Sequence, residues 1–192
     1  MNNVIVLGAS GNLAKHVIDI LVKKDDVKLT LFLRNKGRLR NKDVSKFRII
    51  EGDVLNYDQL KNAITGQDIV YANLAGNLEA MAKNIVKAMK ATNVKRIIAI
   101  SSIGIYETPL RSVLILYRKL ADVIEAPGLD YTILRPTWFT NADEVDYELT
   151  KKGEPEKGSV ISQKSIASFI AEVIESPSKH IRENLGINKP NS

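Results

Sequence analysis

Apolar residues along this chain of 192 residues follow two alternating patterns. Short, nearly uninterrupted apolar runs are typical of strands that are buried on both faces of a sheet. Between them, apolar residues return every three or four positions, which is typical of helices that bury one face. The runs predict six strands, at residues 4–7, 27–33, 47–51, 68–72, 96–100 and 131–134.

The helical patterns fall between these strands. Asn56 is suited to cap one helix, because its side-chain oxygen can accept a hydrogen bond from a free first-turn amide. Pro127 and Gly128 end another helix near residue 126. Helices are predicted directly after Gly11, at 57–64, at 78–92, up to about 126, and at 165–175. Alternating strands and helices imply right-handed βαβ units, so we predict a single α/β domain with a Rossmann-type, doubly wound parallel sheet and helices on both faces.

The second part of the chain is less regular than the first. We assign residues 1–102 to a cofactor-binding half and residues 103–192 to a substrate or C-terminal part. The apolar run 113–116 is expected in the core, and the alternatives are a substrate wall or an oligomer contact. The polar stretch 140–155 is expected to be loop with at most one short strand, 158–162 a short strand and 185–187 an edge strand.

Composition excludes several classes of function. The chain has no cysteine, so disulfides and thiolate chemistry are absent, and its two histidines, His16 and His180, leave no cluster with metal-ligand spacing. No apolar run is long enough to span a bilayer, and no secretion signal precedes the first strand, so we expect a cytoplasmic protein. The net charge of +6 favours an anionic ligand or partner.

A glycine turn follows the first predicted strand. Gly8 suits a tight turn, and Gly11 allows the backbone to approach a ligand closely. The spacing Gly8-x-x-Gly11-x-x-Ala14 is a variant of the dinucleotide-binding fingerprint. The helix that follows directs its free N–H groups and its positive dipole end at a phosphate. The turn therefore predicts a dinucleotide phosphate site.

Arg34 ends the second predicted strand, about 20 residues beyond the glycine turn, where dinucleotide-binding folds recognise the adenosine ribose. An acidic residue there selects NAD, whereas an arginine suits the 2′-phosphate of NADP. Asp25 and Asp26 precede the strand and lie at its opposite end. We therefore predict NADP(H) rather than NAD(H); the alternative is a solvated basic loop. Further cations follow in the same loop: Lys36, Arg38, Arg40 and Lys42.

Other small or polar residues also follow strands. Asp53 comes after the third strand, residues 73–76 after the fourth and Ser101 after the fifth. The carboxyl ends of parallel strands share one edge of the sheet, and ligands bind at that edge. We therefore expect these residues to surround one site together with Gly8 and Arg34.

Several segments together resemble the atypical short-chain dehydrogenase/reductases, and among them the NmrA-like NAD(P)H-binding proteins. The most specific segment is Gly-Leu-Asp-Tyr-Thr-Ile-Leu-Arg-Pro at 128–136. The segment 162–167 is similar to the Ser-Arg-x-Asp-Val-Ala stretch of that family, from which it departs at Gln163 and Ser165. The remaining segments are 8–14, 52–54, 72–76 and 101–104.

This resemblance implies roles for the matching positions. The cofactor pyrophosphate would lie against Gly8, Ser10, Gly11, Asn12 and Leu13. The 2′-phosphate would meet Arg34, the adenine would lie beside Asp53 and Val54, and the ribose and nicotinamide side would be lined by Leu74, Ala75 and Gly76. The nicotinamide would lie near Ser101 and Ser102, and the substrate pocket would be shaped by Pro136, Thr137, Trp138 and Phe139.

The wider superfamily uses a catalytic Tyr-x-x-x-Lys pair, which this chain lacks at the expected helix. There, Tyr117 is followed four residues later by Ala121, and Lys119 points to a different face of a helix. The pairs at 57/61 and 147/151 have the spacing but lie elsewhere in the chain order. The catalytic residues are therefore unassigned, with the candidates Ser101, Ser102, Tyr106 and Tyr117.

The resulting prediction is NADPH-dependent reduction of a flavin, a quinone or a similar conjugated small acceptor. Such acceptors delocalise the incoming charge and need little help from a general acid. Trp138, Phe139 and Tyr106 are candidates for a stacking pocket, or are ordinary packing aromatics. The alternative is a non-catalytic NAD(P)(H) sensor that acts through a protein partner. Nucleic acid is not an expected partner, since no aromatic residue interleaves with the basic loop. A monomer and a homodimer both remain open.

Overall fold

The computed structural model describes residues 1–39, 44–125 and 128–192, which form ten strands and five α-helices. In chain order the elements are β1 (Asn2–Leu7), α1 (Asn12–Leu21), β2 (Val27–Leu33), β3 (Arg48–Glu51), α2 (Tyr57–Ile64), β4 (Ile69–Ala72), α3 (Leu78–Ala91), β5 (Arg96–Ile100), α4 (Ile115–Glu125), β6 (Asp130–Pro136), β7 (Trp138–Thr140), β8 (Glu148–Lys151), β9 (Val160–Ser162), α5 (Gln163–Glu175) and β10 (Glu183–Asn188). Short 3-10 turns lie at Lys36–Arg38, Val44–Lys46 and Ser112–Leu114.

Eight strands form one sheet in the order β3-β2-β1-β4-β5-β6-β10-β8. All neighbouring pairs are parallel except β10 and β8, which are antiparallel. The strand order reverses between β1 and β4, which confirms the predicted Rossmann-type, doubly wound arrangement. Outside this sheet, β7 pairs with β9 in parallel.

The sheet is covered on both faces, which explains the uninterrupted apolar runs. Along β1, Val4 and Val6 face the layer formed by α1 and α5, whereas Ile5 and Leu7 face the layer formed by α2, α3 and α4. All four side chains are fully buried. A strand buried on both faces has no solvent side on which a polar residue would be favoured.

Helix starts differ in how their first-turn amides are satisfied. Asn56 Oδ1 accepts a hydrogen bond from Gln59 N at 3.1 Å at the start of α2, as predicted. The helices α3 and α5 have comparable side-chain caps. In contrast, α1 follows Gly11, which offers no side chain, and has no acidic residue in its first turn. The first-turn amides of α1 are thus left for another acceptor.

The expectation that residues 113–116 lie in the core is wrong for three of the four residues. Leu114 is buried, but Val113 is 70% exposed, and Ile115 and Leu116 are also exposed. The run crosses from a 3-10 turn into α4, so successive side chains point in different directions around the axis, and only one of them faces the core.

The C-terminal part also departs from the prediction in its strand order. Residues 185–187 do form a strand, but β10 lies between β6 and β8 and is not an edge strand. The edge is β8, which forms within the predicted loop at 140–155 and pairs with β10. α5 begins at Gln163, two residues earlier than predicted. The predicted helix end at residues 126–127 and the cations Arg40 and Lys42 lie outside the described residues.

Candidate functional site

A cavity of about 360 Å³ lies over the carboxyl ends of β1, β2, β3 and β4, at the point where the strand order reverses; we call it the first cavity. Ligands of open α/β sheets bind at such a point. Its wall contains Gly8, Ser10, Gly11, Phe32, Leu33, Arg34, Asn35, Arg38, Gly52, Asp53, Val54, Asn73, Leu74, Ala75 and Met81. Most of the residues predicted to bind the cofactor are therefore brought together here, and their contacts with a ligand stay a prediction.

The glycine turn packs directly against the end of β4. Gly8 has φ +82°, and a Cβ atom at this position would lie 2.1 Å from the Asn73 carbonyl oxygen. A Cβ atom at Gly11 would lie 2.7 Å from Asn73 Nδ2. Gly8 is thus required by the chain's own packing, because it meets a backbone atom at a positive φ, whereas at Gly11 the close atom is the end of the Asn73 side chain. The sequence indicated Asn73 only as a residue at a strand end and did not predict this contact.

The N-terminus of α1 lies at the cavity wall. Lys15 N donates to Gly11 O at 3.0 Å, so the helical hydrogen bonds begin at a wall residue. Asn12 and Leu13 contribute first-turn amides, although the Leu13 side chain itself is buried in the core. Uncapped amides and the positive end of the helix dipole favour an anionic group at this position.

Two arginines line the same cavity. Arg34 and Arg38 are exposed, and their guanidinium groups form no ion pair within the described parts of the chain. Lys36, from the same basic loop, is not among the wall residues, and its Nζ lies 3.6 Å from Glu51 Oε2. The acid in the wall, Asp53, accepts a hydrogen bond from Leu55 N at 2.9 Å in its own turn. The cavity therefore offers two positive charges beside the end of β2.

The remaining wall of the first cavity is partly apolar, and the rest is backbone fixed by hydrogen bonds from a side-chain amide. Phe32 and Met81 are buried and present carbon surface to the cavity. The turn after β3 is fixed by Asn84, whose Nδ2 donates to the carbonyl oxygens of Val54 at 3.0 Å and Leu55 at 2.9 Å. An apolar slot beside fixed backbone groups suits a flat heteroaromatic ring. Phe32 was missed because a buried strand residue carries no separate signal for a cavity.

A second cavity of about 390 Å³ lies beyond the ends of β5 and β6, and we call it the second cavity. Its wall is mostly apolar and contains Ser101, Ser102, Ile103, Arg111, Val113, Leu114, Tyr117, Pro136, Thr137, Trp138 and Phe139. All four predicted substrate-pocket residues line it, and their role toward a substrate stays a prediction. Trp138 is 73% exposed and Phe139 47% exposed, so both rings stand open at this surface.

Ser101 lies at the second cavity and not among the residues of the first, where it was predicted to contact the cofactor. Its Oγ donates to the Tyr117 carbonyl oxygen at 3.1 Å, which joins the end of β5 to the start of α4. Gly76, also predicted at the cofactor, follows Ala75 but is not part of the first cavity wall. Ser101 is buried, and its hydroxyl is occupied by this hydrogen bond.

Tyr106 is not among the residues that line either cavity, and its role as a pocket aromatic or a catalytic residue stays a prediction. Its hydroxyl donates to Glu125 Oε1 at 3.3 Å and accepts from Asn184 Nδ2 at 2.8 Å. Burial and the nearby Glu125 raise the pKa of Tyr106. The Arg118 and Arg135 guanidinium groups lie over its ring, at 4.7 and 5.3 Å from the centroid.

Arg135, from the most specific motif segment, is a structural residue. It is 1% exposed, and its Nε donates to Glu156 Oε1 at 2.8 Å. The other carboxylate oxygen of Glu156 accepts from Gly104 N at 2.7 Å. A further nitrogen of Arg135 donates to the Asn184 carbonyl oxygen at 2.9 Å. The arginine thus ties β6 to β10 and, through Glu156, to the segment after β5.

Among the described residues that line the second cavity, no lysine accompanies Tyr117. Ala121 is buried, and Lys119 Nζ lies 2.7 Å from Glu79 Oε2 on the neighbouring helix α3. Among the described residues, no group of three or more His, Cys, Asp or Glu side chains could hold a metal ion. No helix in the same residues is long and apolar enough to cross a membrane.

Comparison with known proteins shows which family and which solved structures this chain is similar to. The family model described as NAD(P)H-binding matches residues 8–177. Among solved structures, a Rossmann-fold NAD(P)-binding family protein from Shigella flexneri is 49% identical, with a TM-score of 0.92 over all of this chain and 95% of the other. A short-chain dehydrogenase/reductase from Veillonella parvula, solved in complex with NADP, is 26% identical, with a TM-score of 0.88 over 99% of this chain and 95% of the other.

A curated relative is similar over most of this chain. The isoflavone reductase homolog A622 of Nicotiana glauca is 25% identical over 205 aligned residues, which cover 92% of this chain. The match spans 65% of the length of that relative, so this chain corresponds to less than two thirds of it.

Proposed function

The chain belongs to the NAD(P)H-binding family of atypical short-chain dehydrogenase/reductases, and from this premise we propose that it is an NADPH-dependent reductase of a flavin, a quinone or a similar conjugated acceptor. The family is of oxidoreductase type, and one curated relative is named as a homolog of a reductase. The choice of NADPH and of the acceptor class is our proposal.

One observation supports the preference for NADPH. Two arginines beside the end of β2 form no ion pair with the described residues. Arg34 and Arg38 line the first cavity, and the neighbouring acid Asp53 is engaged in its own turn. An arginine fork binds a phosphate through two parallel hydrogen bonds, whereas a ribose 2′-hydroxyl is best held by a carboxylate. The structure of the Veillonella parvula relative in complex with NADP supports the same choice.

The residues of the first cavity fit such a cofactor. The uncapped N-terminus of α1 would hold the pyrophosphate, and the Phe32, Val54 and Met81 surface would take the adenine. When bound, NADPH supplies a hydride. The acceptor gains that hydride and a proton from water, and NADP⁺ is released.

The second cavity supports an acceptor of the conjugated class. Its wall is mostly apolar, and Trp138 and Phe139 present open aromatic rings. A conjugated ring can pack on such surfaces, and its π-system delocalises the charge that hydride transfer adds. The role left to the protein is to orient the acceptor and to exclude water from it.

Cofactor preference is tested by titrating the full chain and two variants with NADPH and with NADH. Arg34→Gln is expected to weaken NADPH binding by about 10- to 100-fold and to leave NADH binding unchanged. Lys36→Gln is the matched control, because it removes the same charge two residues away but from a side chain that pairs with Glu51. An NADPH preference that survives Arg34→Gln contradicts the assignment.

The reaction is tested by following NADPH oxidation with a panel of quinones and flavins. We expect turnover of at least one planar acceptor. Tight NADPH binding without turnover of any acceptor would contradict the reductase and would favour the sensor that the sequence left open. If neither NADPH nor NADH binds, both the reductase and the sensor are contradicted.

A further inference from the structure

Arg111 is the one charged residue among those that line the second cavity in the described structure. The rest of the wall consists of aliphatic and aromatic side chains, one proline and four hydroxyl residues. A pocket of this composition favours a ligand with an apolar ring. A single cation at its wall favours a ligand that also carries one anionic group.

The Arg111 guanidinium forms no ion pair or hydrogen bond with the described residues, although nearby cations are paired. On the following helix, Arg118 Nε lies 2.8 Å from Asp122 Oδ1, and Lys119 Nζ lies 2.7 Å from Glu79 Oε2. The positive charge of Arg111 is therefore not neutralised by the described residues, whereas the charges of Arg118 and Lys119 are.

The backbone holds Arg111 at this position. It precedes the 3-10 turn Ser112–Leu114, and its carbonyl oxygen accepts from Leu114 N at 2.9 Å. Leu114 is buried, so the turn is anchored to the core directly after the arginine. A cation on an anchored turn loses less freedom on binding an anion than one on a free loop.

We propose that Arg111 determines acceptor specificity by binding an anionic group, a phosphate or a carboxylate, attached to the planar ring of the acceptor. The inference rests on the reductase function proposed above and names the substrate class of the second cavity. The planar ring of the acceptor packs against Trp138 and Phe139, and its anionic group binds the Arg111 guanidinium. Neutral acceptors with the same ring bind more weakly.

Riboflavin and flavin mononucleotide test this directly, because they share one ring system and differ by a phosphate. Dissociation constants are measured by flavin fluorescence quenching on the full chain with saturating NADP⁺. We expect flavin mononucleotide to bind about 10-fold more tightly than riboflavin. Arg111→Gln is expected to bring the ratio to about 1 by weakening only flavin mononucleotide binding.

Lys90→Gln is the control of equal charge. Lys90 is exposed in the last turn of α3, at the opposite end of the sheet from both cavities, so its loss should leave the ratio unchanged. Raising the salt concentration should reduce the wild-type ratio, because the attraction is screened.

The outcomes separate the two proposals. Equal affinity for the two flavins in the wild type, a ratio that Arg111→Gln leaves unchanged, or no binding of either flavin would overturn the specificity role. Displacement of flavin mononucleotide by NADP⁺ would place it in the first cavity and would also overturn that role. Failure of NADP(H) itself to bind would instead contradict the proposed reductase.

Discussion

The two cavities lie along the same edge of the sheet, but they are built differently. The first is formed by strand ends, a glycine turn and a helix start, and its position follows from the reversal of strand order between β1 and β4. The second is formed by the irregular segment between β5 and α4 together with β7. A regular βαβ scaffold thus fixes the first cavity, whereas the second depends on how one segment is held.

That segment is held by buried polar contacts rather than by apolar packing alone. Arg135 reaches it through Glu156, which accepts from Gly104 N, and reaches β10 through Asn184. Buried charges must be paired to be tolerated, so these residues act together. The difference between the cavities predicts that they respond separately to substitution.

The largest expected effect is that of Arg135→Ala. Removing one partner of a buried ion pair leaves Glu156 uncompensated, and we expect the free energy of unfolding to fall by about 4 kcal/mol. Urea unfolding measures this change. The smaller change Glu156→Gln keeps groups that can form hydrogen bonds and should cost about 2 kcal/mol. If the folded Arg135→Ala variant binds NADPH more than about 10-fold less tightly than the wild type, the two cavities do not respond separately to substitution.

The next effect belongs to the first cavity. Gly8→Ala would place a Cβ atom 2.1 Å from a backbone oxygen at φ +82°, and we expect a loss of about 3 kcal/mol. Gly66→Ala is the matched control, because Gly66 has φ +78° with no atom within 4 Å of the added Cβ. Its cost is limited to the backbone strain, about 1 kcal/mol. Equal losses for the two variants would show that the contact with Asn73 is unimportant.

The first cavity was the more predictable part of the molecule. Apolar runs predicted the strands at its base, and the glycine turn and Arg34 occur directly at strand ends, where a parallel sheet assembles its ligand site. What was missed there, such as the packing of Asn73 against both glycines, is a contact between β1 and β4, which are far apart in the sequence.

The second cavity was predicted only in part. Residues 136–139 are assigned from the family resemblance and do line it. For the run 113–116 the pattern favours the core, whereas Val113 and Leu114 line the cavity, and for Tyr106 the sequence leaves a pocket role and ordinary packing open. Apolar character alone does not distinguish a core position from an open cavity wall. The partners of Tyr106 come from α4 and β10, and the place of β10 inside the sheet depends on long-range pairing that no local pattern encodes.

A smaller effect on stability is expected for the open wall of the second cavity. Trp138 is 73% exposed, so Trp138→Ser should change the free energy of unfolding by less than about 0.5 kcal/mol. It should raise the KM for a planar acceptor by about 10-fold, because the aromatic surface is lost. NADPH affinity is the internal control and should not change. A large loss of stability would mean that this ring serves packing and not an acceptor.

The smallest effect concerns the contact between α3 and α4. Glu79 on α3 lies 2.7 Å from Lys83 and 2.7 Å from Lys119 on α4, and these hydrogen-bonded cations lower its pKa to about 2 from an ordinary value of 4.5. A carboxylate whose pKa is lower in the folded state contributes stability that is present above pH 4.5 and is lost as the pH falls toward 2. Urea unfolding between pH 6 and pH 2 should therefore show a steeper loss for the wild type than for Glu79→Gln, with the two curves converging at the acid end. The two lysines are exposed and Glu79 is only partly buried, so the difference should be small and should shrink in high salt. Parallel curves would mean that α3 and α4 are joined by their apolar contacts alone.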